Sequence, residues 1–275
     1  MYGGEHTTQV AGCSLRRSLP LRALPPSRSA FKLETELAAP LQPKDNCILA
    51  SLPAADLKRI QSHLELVPLP LGTVVYENGG ITKHAYFPAD SIVSLLHVME
   101  NGDSAEIAMI GNDGIVGIAL FMGGATMPNR AVVQGGGHAW RIPAEILKSE
   151  FKRAGPMQFI LLRYTQALIT QMAQTAACDR HHTIDQQLSR WLLLSLDRVS
   201  NGELRMTQEL IANMLGVRRE GVTAAAGRLQ ASGTIQYSRG NIKILNRAQL
   251  KRSACECYEV VKNEYDRLLD GSHRD

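Results

Sequence analysis

Thr207–Gln230 reads TQELIANMLGVRREGVTAAAGRLQ, the pattern of two helices joined by a tight turn. Thr207 has the side chain of a helix N-cap, and the helix it opens runs to Leu215. Gly216 ends that helix, because a tight turn between two helices needs a residue that tolerates positive φ. A second helix begins after Val217. Ala212, four residues before the glycine, lets the two helices cross closely. Ile211, Leu215, Val217, Val222 and Ala225 fall where a helix-turn-helix needs apolar packing. An ordinary helical hairpin is the competing reading, and two features weigh against it. The second helix opens with Arg218-Arg219-Glu220, which puts base-reading groups at the end that enters a major groove. A β-hairpin also follows: TIQY, the turn SRGN, then IKIL. Helix-turn-helix plus hairpin is a winged module, with Arg239 at the wing tip in reach of a phosphate.

Charge supports the same reading. Residues 203–252 hold nine Lys/Arg and three acids, a net +6, whereas the whole 275-residue chain carries only +4. Concentrated positive charge is the electrostatic footprint of a nucleic-acid module.

Upstream, residues 1–43 form an Arg/Ser/Pro-rich tail (LRRSLPLRALPPSRS) that is expected to be disordered. The tail is weakly like an organelle transit peptide; a plain flexible tail, or a start codon placed too early, is the better reading. From Asn46, NCILASLPAADLKRIQSHLELV predicts one or two short helices. Short β-rich runs follow (GTVVYENGG, KHAYFPADSIVSLLHVMENGD, AEIAMIGNDG, GIVGIALF and RAVVQGGGHAWRIP), punctuated by Asn-Gly and Gly-Gly turns. These predict a β-barrel or sandwich over 44–155. Residues 156–182 predict a long helix and hinge. Its stripe of Leu161, Tyr164, Leu168 and Met172 suits either a core face or a seam between two subunits. A further helix, capped by Thr183, leads to the turn Ser200-Asn201-Gly202. The winged module occupies 183–250, and 251–275 is a C-terminal helical extension. The fold class is α+β.

Residues 46–260 resemble the Crp/Fnr superfamily of bacterial transcription regulators. The helix-turn-helix and wing look like its C-terminal domain. The glycine-punctuated β-region and long helix look like its cyclic-nucleotide-binding-like jelly-roll sensor (a double-stranded β-helix) and dimer helix. RHHTIDQQLSRWLL and CECY look like a branch of the family common in rhizobia. The resemblance implies that Arg219 and Glu220 are the base-contacting Arg-Glu pair, arginine bidentate to guanine and glutamate accepting from cytosine. Ala224 stands where many members carry a second base-reading arginine, so the preferred half-site should differ from the usual one. Arg218, Thr207 and Gln208 are better placed for phosphates, and Thr223, on the helix of Arg219, completes the expected DNA-binding set.

The stretch GIVGIALFMGGATMPNRAVV, residues 114–133, is where a phosphate cassette would lie. The resemblance implies a Gly-Glu pair and a later Arg-Ser/Thr-Ala triplet. Gly117 matches the glycine, but Ile118 follows it. Ala131 matches the final alanine, but Asn129 and Arg130 precede it, so the arginine has moved by one position. On a strand, one residue of shift sends a side chain to the opposite face. The pocket is therefore read as degenerate and not responsive to cyclic AMP. An inserted residue that restores Arg130 to the pocket is the competing possibility.

The other chemistry-bearing residues are sparse. Cys178 and His182, four apart on a helix, can chelate, but no clear third and fourth ligand is evident, and no metal or other cofactor is expected. Cys255 and Cys257 cannot both face one side of a helix, and packing is favoured over a redox switch. Trp140 and Trp191 read as core or interface aromatics. The chain lacks G-x-x-x-x-G-K-[ST], G-x-S-x-G and H-E-x-x-H, so it is not read as an enzyme. No apolar run approaches the roughly 20 residues of a membrane span. An odd count of five cysteines suits a reducing cytoplasm. The expected partners are double-stranded DNA with a pseudo-palindromic site, a second copy of the chain, and RNA polymerase if the protein is an activator. A ligand-dependent small-molecule sensor, or a redox sensor, controlling transcription is the alternative.

Overall fold

The computed structural model describes residues 40–124, 126–199 and 203–269. The expected tail therefore lies, up to residue 39, outside the described residues, as does the turn at 200–202.

Asn46 organises the start of the described chain. Its side-chain oxygen accepts from Ile48 N and Leu49 N, capping α1 (Cys47–Ala50), while its amide donates to Pro88 O and Gly114 O. Helix α2 (Ala54–Gln61) follows Pro53. Strands β1 (Glu65–Leu69), β2 (Val74–Tyr76), β3 (His84–Pro88), β4 (Ile92–Val98) and β5 (Ser104–Ile110) come next. Then come a short helix α3 (Ala119–Met122), strands β6 (Arg130–Gly135) and β7 (Gly137–Pro143), and helix α4 (Ala144–Lys152).

The seven strands form two antiparallel sheets, ordered β1-β7-β3 and β2-β6-β4-β5. The result is a jelly-roll sandwich, and the expected barrel is not closed. Strand β2 has only three residues, and the register slips between Val74 and Tyr76, Ile92 and Val93, and Leu95 and Leu96. Such bulges twist strands apart before ladders can join. Phe87, Ile92, Val93, Leu95, Ile110, Val133 and Ile142 fill the core between the sheets. The run GIVGIALF also departs from the strand reading. Val116 makes a single bridge to Tyr86, Gly117 turns at φ +111°, and the chain enters α3, whose Leu120 and Phe121 are buried.

Pro156 begins α5 (Pro156–His181), a position where its missing N–H costs nothing. Leu161, Tyr164 and Leu168 are buried and Met172 half-buried, so the stripe left open above is a core face. Thr183 and Gln186 form a capping box at the start of α6 (Ile184–Leu196). Then follow β8 (Glu203–Arg205), α7 (Gln208–Leu215), α8 (Arg219–Ala231), β9 (Ile235–Ser238), β10 (Asn241–Ile244), α9 (Arg247–Ser253) and α10 (Cys257–Leu269). The last helix packs along α5.

The two halves meet where α7 packs on β5. Trp191 on α6 donates its indole N–H to Glu106 Oε1 at 3.0 Å. Arg198, buried after α6, pairs with Asp113 at 2.5 Å, donates to Leu194 O and Gln171 Oε1, and lies over the Tyr265 ring. One guanidinium thus joins the end of α6 to the loop after β5, to α5 and to α10.

Candidate nucleic-acid interface and sensor pocket

The winged module is assembled by local rules. Thr207 Oγ1 accepts from Leu210 N at 3.2 Å and caps α7. Gly216 takes φ +61°, and Val217 N closes back onto Ala212 O. The turn is therefore a left-handed cap that a side chain would strain. Ile211, Ala212, Leu215, Val222 and Ala225 are all buried between the helices. Gly221 crosses α6 so closely that a β-carbon there would stand 2.6 Å from Ile184 Cδ1.

The polar face is exposed. Arg218 is the N-cap position of α8; Arg219, Glu220, Thr223 and Ala224 follow on its solvent side. Thr223 Oγ1 lies 2.7 Å from Gln208 Oε1 and 3.0 Å from Arg219 O, so it braces α7 against α8. Arg219 faces Glu209 at 4.0 Å, a loose surface pair that leaves its guanidinium available.

The wing is a tight hairpin. Arg239 at φ +48° and Gly240 at φ +80° make its turn, and Arg239 is exposed. Met206 N donates to Gly240 O at 2.6 Å, and Tyr237 OH donates to Met206 O at 2.9 Å. The wing tip is thereby pinned one residue from Thr207. Thr207, Gln208, Arg218, Arg219, Glu220, Thr223 and Arg239 thus share one end of the module.

Two contributors had no signal in the sequence. Strand β8 pairs with β10 to make a three-stranded wing sheet, ordered β8-β10-β9. Arg228 on α8 makes a bidentate pair with Asp185 on α6 at 2.7 and 2.6 Å, and those bonds hold the Asp185 carboxyl below its usual range. The pair is exposed and contributes little stability, but it sets the rotation of α8 on its scaffold.

The sensor side is different in kind. Asn129 is buried, its amide donating to the Tyr76 hydroxyl at 3.3 Å. Burial pushes the Tyr76 phenol up to about 12, so it stays neutral. Arg130 lies half-exposed on the next side of β6, its Nε 3.1 Å from Glu77 Oε2. Ala131 is fully buried. Gly117 is followed by Ile118, which packs against the core ahead of α3. An open cavity of about 430 Å³ is lined by Glu77, Asn78, Val98, Met99, Glu100 and Arg130, so the arginine there is already matched by carboxylates.

Comparison with known proteins places these two regions. Residues 66–154 match the cyclic nucleotide-binding domain and residues 186–253 the Crp-like helix-turn-helix domain. The fold is similar to that of a putative Crp/Fnr-family regulator from Eubacterium rectale (TM-score 0.57, 22% identity, 74% of this chain and 94% of that one). It is also similar to FixK2 from Bradyrhizobium japonicum (TM-score 0.59, 15% identity, 70% and 98%). A third likeness is to CLP, described as a c-di-GMP-responsive global regulator, from Xanthomonas campestris (TM-score 0.56, 18% identity, 70% and 99%). No curated protein matches the chain. Among the described residues, no helix is long and apolar enough to cross a membrane.

Proposed function

Because the chain belongs to the Crp/Fnr superfamily of transcription regulators, we propose that it reads a pseudo-palindromic DNA site through α8 without needing a cyclic nucleotide. The observation that carries this reading is the exposed end where Arg218, Arg219, Glu220 and Thr223 meet the wing tip at Arg239. Arg219 and Glu220 supply direct readout, as a guanine-directed fork and a cytosine-directed acceptor. Arg218, Thr207, Gln208 and Arg239 supply phosphate contacts that position without specifying. The working assignment of segments is a sensor over 44–155, a dimer helix and hinge over 156–182, a DNA-binding module over 183–250 and a C-terminal extension over 251–275.

Regulators of this family bind DNA as dimers. For this chain the seam is proposed on α5. Phe159, Leu162, Gln166, Ile169, Ala173 and Ala176 are exposed and recur at alternating spacings of three and four. That is a heptad stripe, opposite in role to the buried Leu161-Tyr164-Leu168 face. Three of its members, Phe159 at 62%, Leu162 at 45% and Ile169 at 59% exposure, are large apolar side chains left in solvent by a single copy. The two alanines at its C-terminal end are small enough to let paired helices approach closely there.

Nucleotide independence rests on the charge of the pocket. A cyclic phosphate needs a cation, and the groups turned inward near Ala131 are a neutral amide and a neutral phenol. Arg130 faces Glu77 instead. Leaving a phosphate uncompensated in a half-buried pocket is costly. The protein is proposed to act in the cytoplasm, without catalytic activity, and to contact RNA polymerase if it activates. Nucleotide-stripped protein tests the reading, titrated calorimetrically with cyclic AMP and cyclic GMP and assayed for DNA binding with and without each. No heat of binding and unchanged DNA affinity are expected. Micromolar nucleotide binding that strengthens the DNA complex overturns it.

A further inference from the structure

Four metal-ligating side chains meet where α5 ends and α10 begins. Cys178 and His182 come from the last turn of α5 and its C-cap. Cys255 lies in the turn before α10, and Cys257 is that helix's first residue. Their ligand atoms all lie within 4.8 Å of one another. Cys178 Sγ is 3.5 Å from Cys255 Sγ, and Cys257 Sγ is 3.5 Å from His182 Nδ1. The three cysteines are buried, with Cys178 and Cys257 at 0% exposure. The third and fourth ligands that the spacing of Cys178 and His182 lacked are thus supplied from some 75 residues downstream. The expectation that Cys255 and Cys257 must diverge fails for a simple reason. Cys255 precedes the helix, so helical periodicity does not relate the two side chains.

We propose that Cys178, His182, Cys255 and Cys257 form a structural Zn²⁺ site. A tetrahedral zinc with Zn–S of about 2.3 Å and Zn–N of about 2.0–2.1 Å has ligand–ligand edges of roughly 3.5–3.8 Å. The 3.5 Å S–N separation matches the sulfur–nitrogen edge, and the 3.5 Å S–S separation is about 0.3 Å under the sulfur–sulfur edge. Three sulfurs and one imidazole make the Cys₃His set of closed structural sites. Iron–sulfur clusters place inorganic sulfide and more than one iron between their ligands, which needs a wider cage than this one.

The surroundings match the outer shell of a metal site better than the packing of inert thiols. His182 turns Nδ1 to the sulfurs and Nε2 to Glu256 Oε1 at 3.3 Å. A carboxylate on the far ring nitrogen fixes the tautomer that leaves Nδ1 free to ligate. Gln174 Nε2 donates to Cys257 Sγ at 3.1 Å, a bond suited to a thiolate. Arg190 is buried close by and acts electrostatically on Cys178; its Nη1 donates to Thr175, but its Nε has no hydrogen-bond partner. Zinc with three thiolates has a net charge of −1, and the guanidinium offsets it. On binding, the metal takes one electron pair from each sulfur and from Nδ1, and the thiol protons go to solvent. The site would clamp the start of α10 to the hinge between α5 and α6, the segment that leads into the DNA-binding elements.

The full chain, purified under reductant without chelator or added metal, is analysed for zinc, iron and acid-labile sulfide. About one zinc per chain is expected. After removal of zinc, Co²⁺ should give the intense visible d–d bands and sulfur-to-metal charge-transfer bands of a tetrahedral thiolate site. Cys257→Ser and His182→Ala should each lower zinc affinity at least about tenfold against a chromophoric chelator. Wild-type stoichiometry and the cobalt spectrum decide the matter even if a variant fails to fold. Wild-type protein that neither carries zinc nor takes it up from the chelator overturns the proposal. So does iron recovered with sulfide, or a cobalt spectrum without thiolate bands.

Discussion

Arg219 is the residue on which the proposed base reading turns. Its guanidinium is exposed at the start of α8, and its nearest carboxylate, Glu209, is 4.0 Å away. Arg219→Ala should weaken the specific complex by roughly 1–3 kcal/mol and relax one base position. Arg239→Ala should instead weaken specific and scrambled DNA about equally and reduce the salt slope by about one. Competition binding at several salt concentrations separates the two effects. An Arg219→Ala protein with unchanged affinity for both DNAs would remove α8 from the interface. The two helices and the turn that carry Arg219 were legible because their capping and turn residues all sit within twenty-four consecutive residues. Glu106 had no such local signal. Burial raises its carboxyl to about 7, while Ser94 and Trp191 hydrogen-bond to it. Glu106 Oε2 accepts from the Ser94 hydroxyl, which also lies against Gln134 Oε1, and the Gln134 amide reaches Met206 Sδ at 3.7 Å. The folded chain holds the Glu106 carboxyl proton where the unfolded chain, near 4.5, has lost it. The contribution is complete below about pH 4.5 and is lost as pH rises through about 7, on the order of 3 kcal/mol. Urea midpoints across that window should fall with pH in the wild type and stay flatter in Glu106→Gln.

At the scale of elements, α5 carries two stripes, and only one was visible as a choice. Leu161, Tyr164 and Leu168 satisfy a core face or a seam equally well by spacing alone. Packing against α10 and β5 decides for the core and leaves Phe159, Leu162 and Ile169 facing out. Replacing Leu162 and Ile169 with Glu should place like charges across the seam. Sedimentation should then show a monomer whose far-UV dichroism is unchanged, because neither side chain belongs to the core. A double variant that remains dimeric would move the seam elsewhere. Elements were misread where short-range patterns compete with tertiary context. GIVGIALF has the composition of a strand, yet Gly117 at positive φ ends the extended run after one bridge. Strand β8 has three residues, too few to show a period. Helical spacing does not apply to the paired cysteines, because α10 begins at Cys257 and Cys255 precedes it.

At the scale of the whole molecule, the β-sandwich, the long helix and the winged module are joined by buried polar links. The chief ones are Glu106–Trp191 and Arg198–Asp113, and neither pair is close in sequence. This is why the parts were readable from the chain and their docking was not. In the proposed function two copies present α8 to one pseudo-palindromic site, with half-sites about one helical turn apart, and need no cyclic nucleotide to do so. Selection of bound sequences from random double-stranded DNA, using nucleotide-free full-length protein, tests it most directly. An enriched two-fold site is expected, with half-site centres separated by about 10–10.5 base pairs or a multiple of that. Enrichment of no motif, of an isolated half-site, or of any motif only when cyclic AMP is added would contradict it.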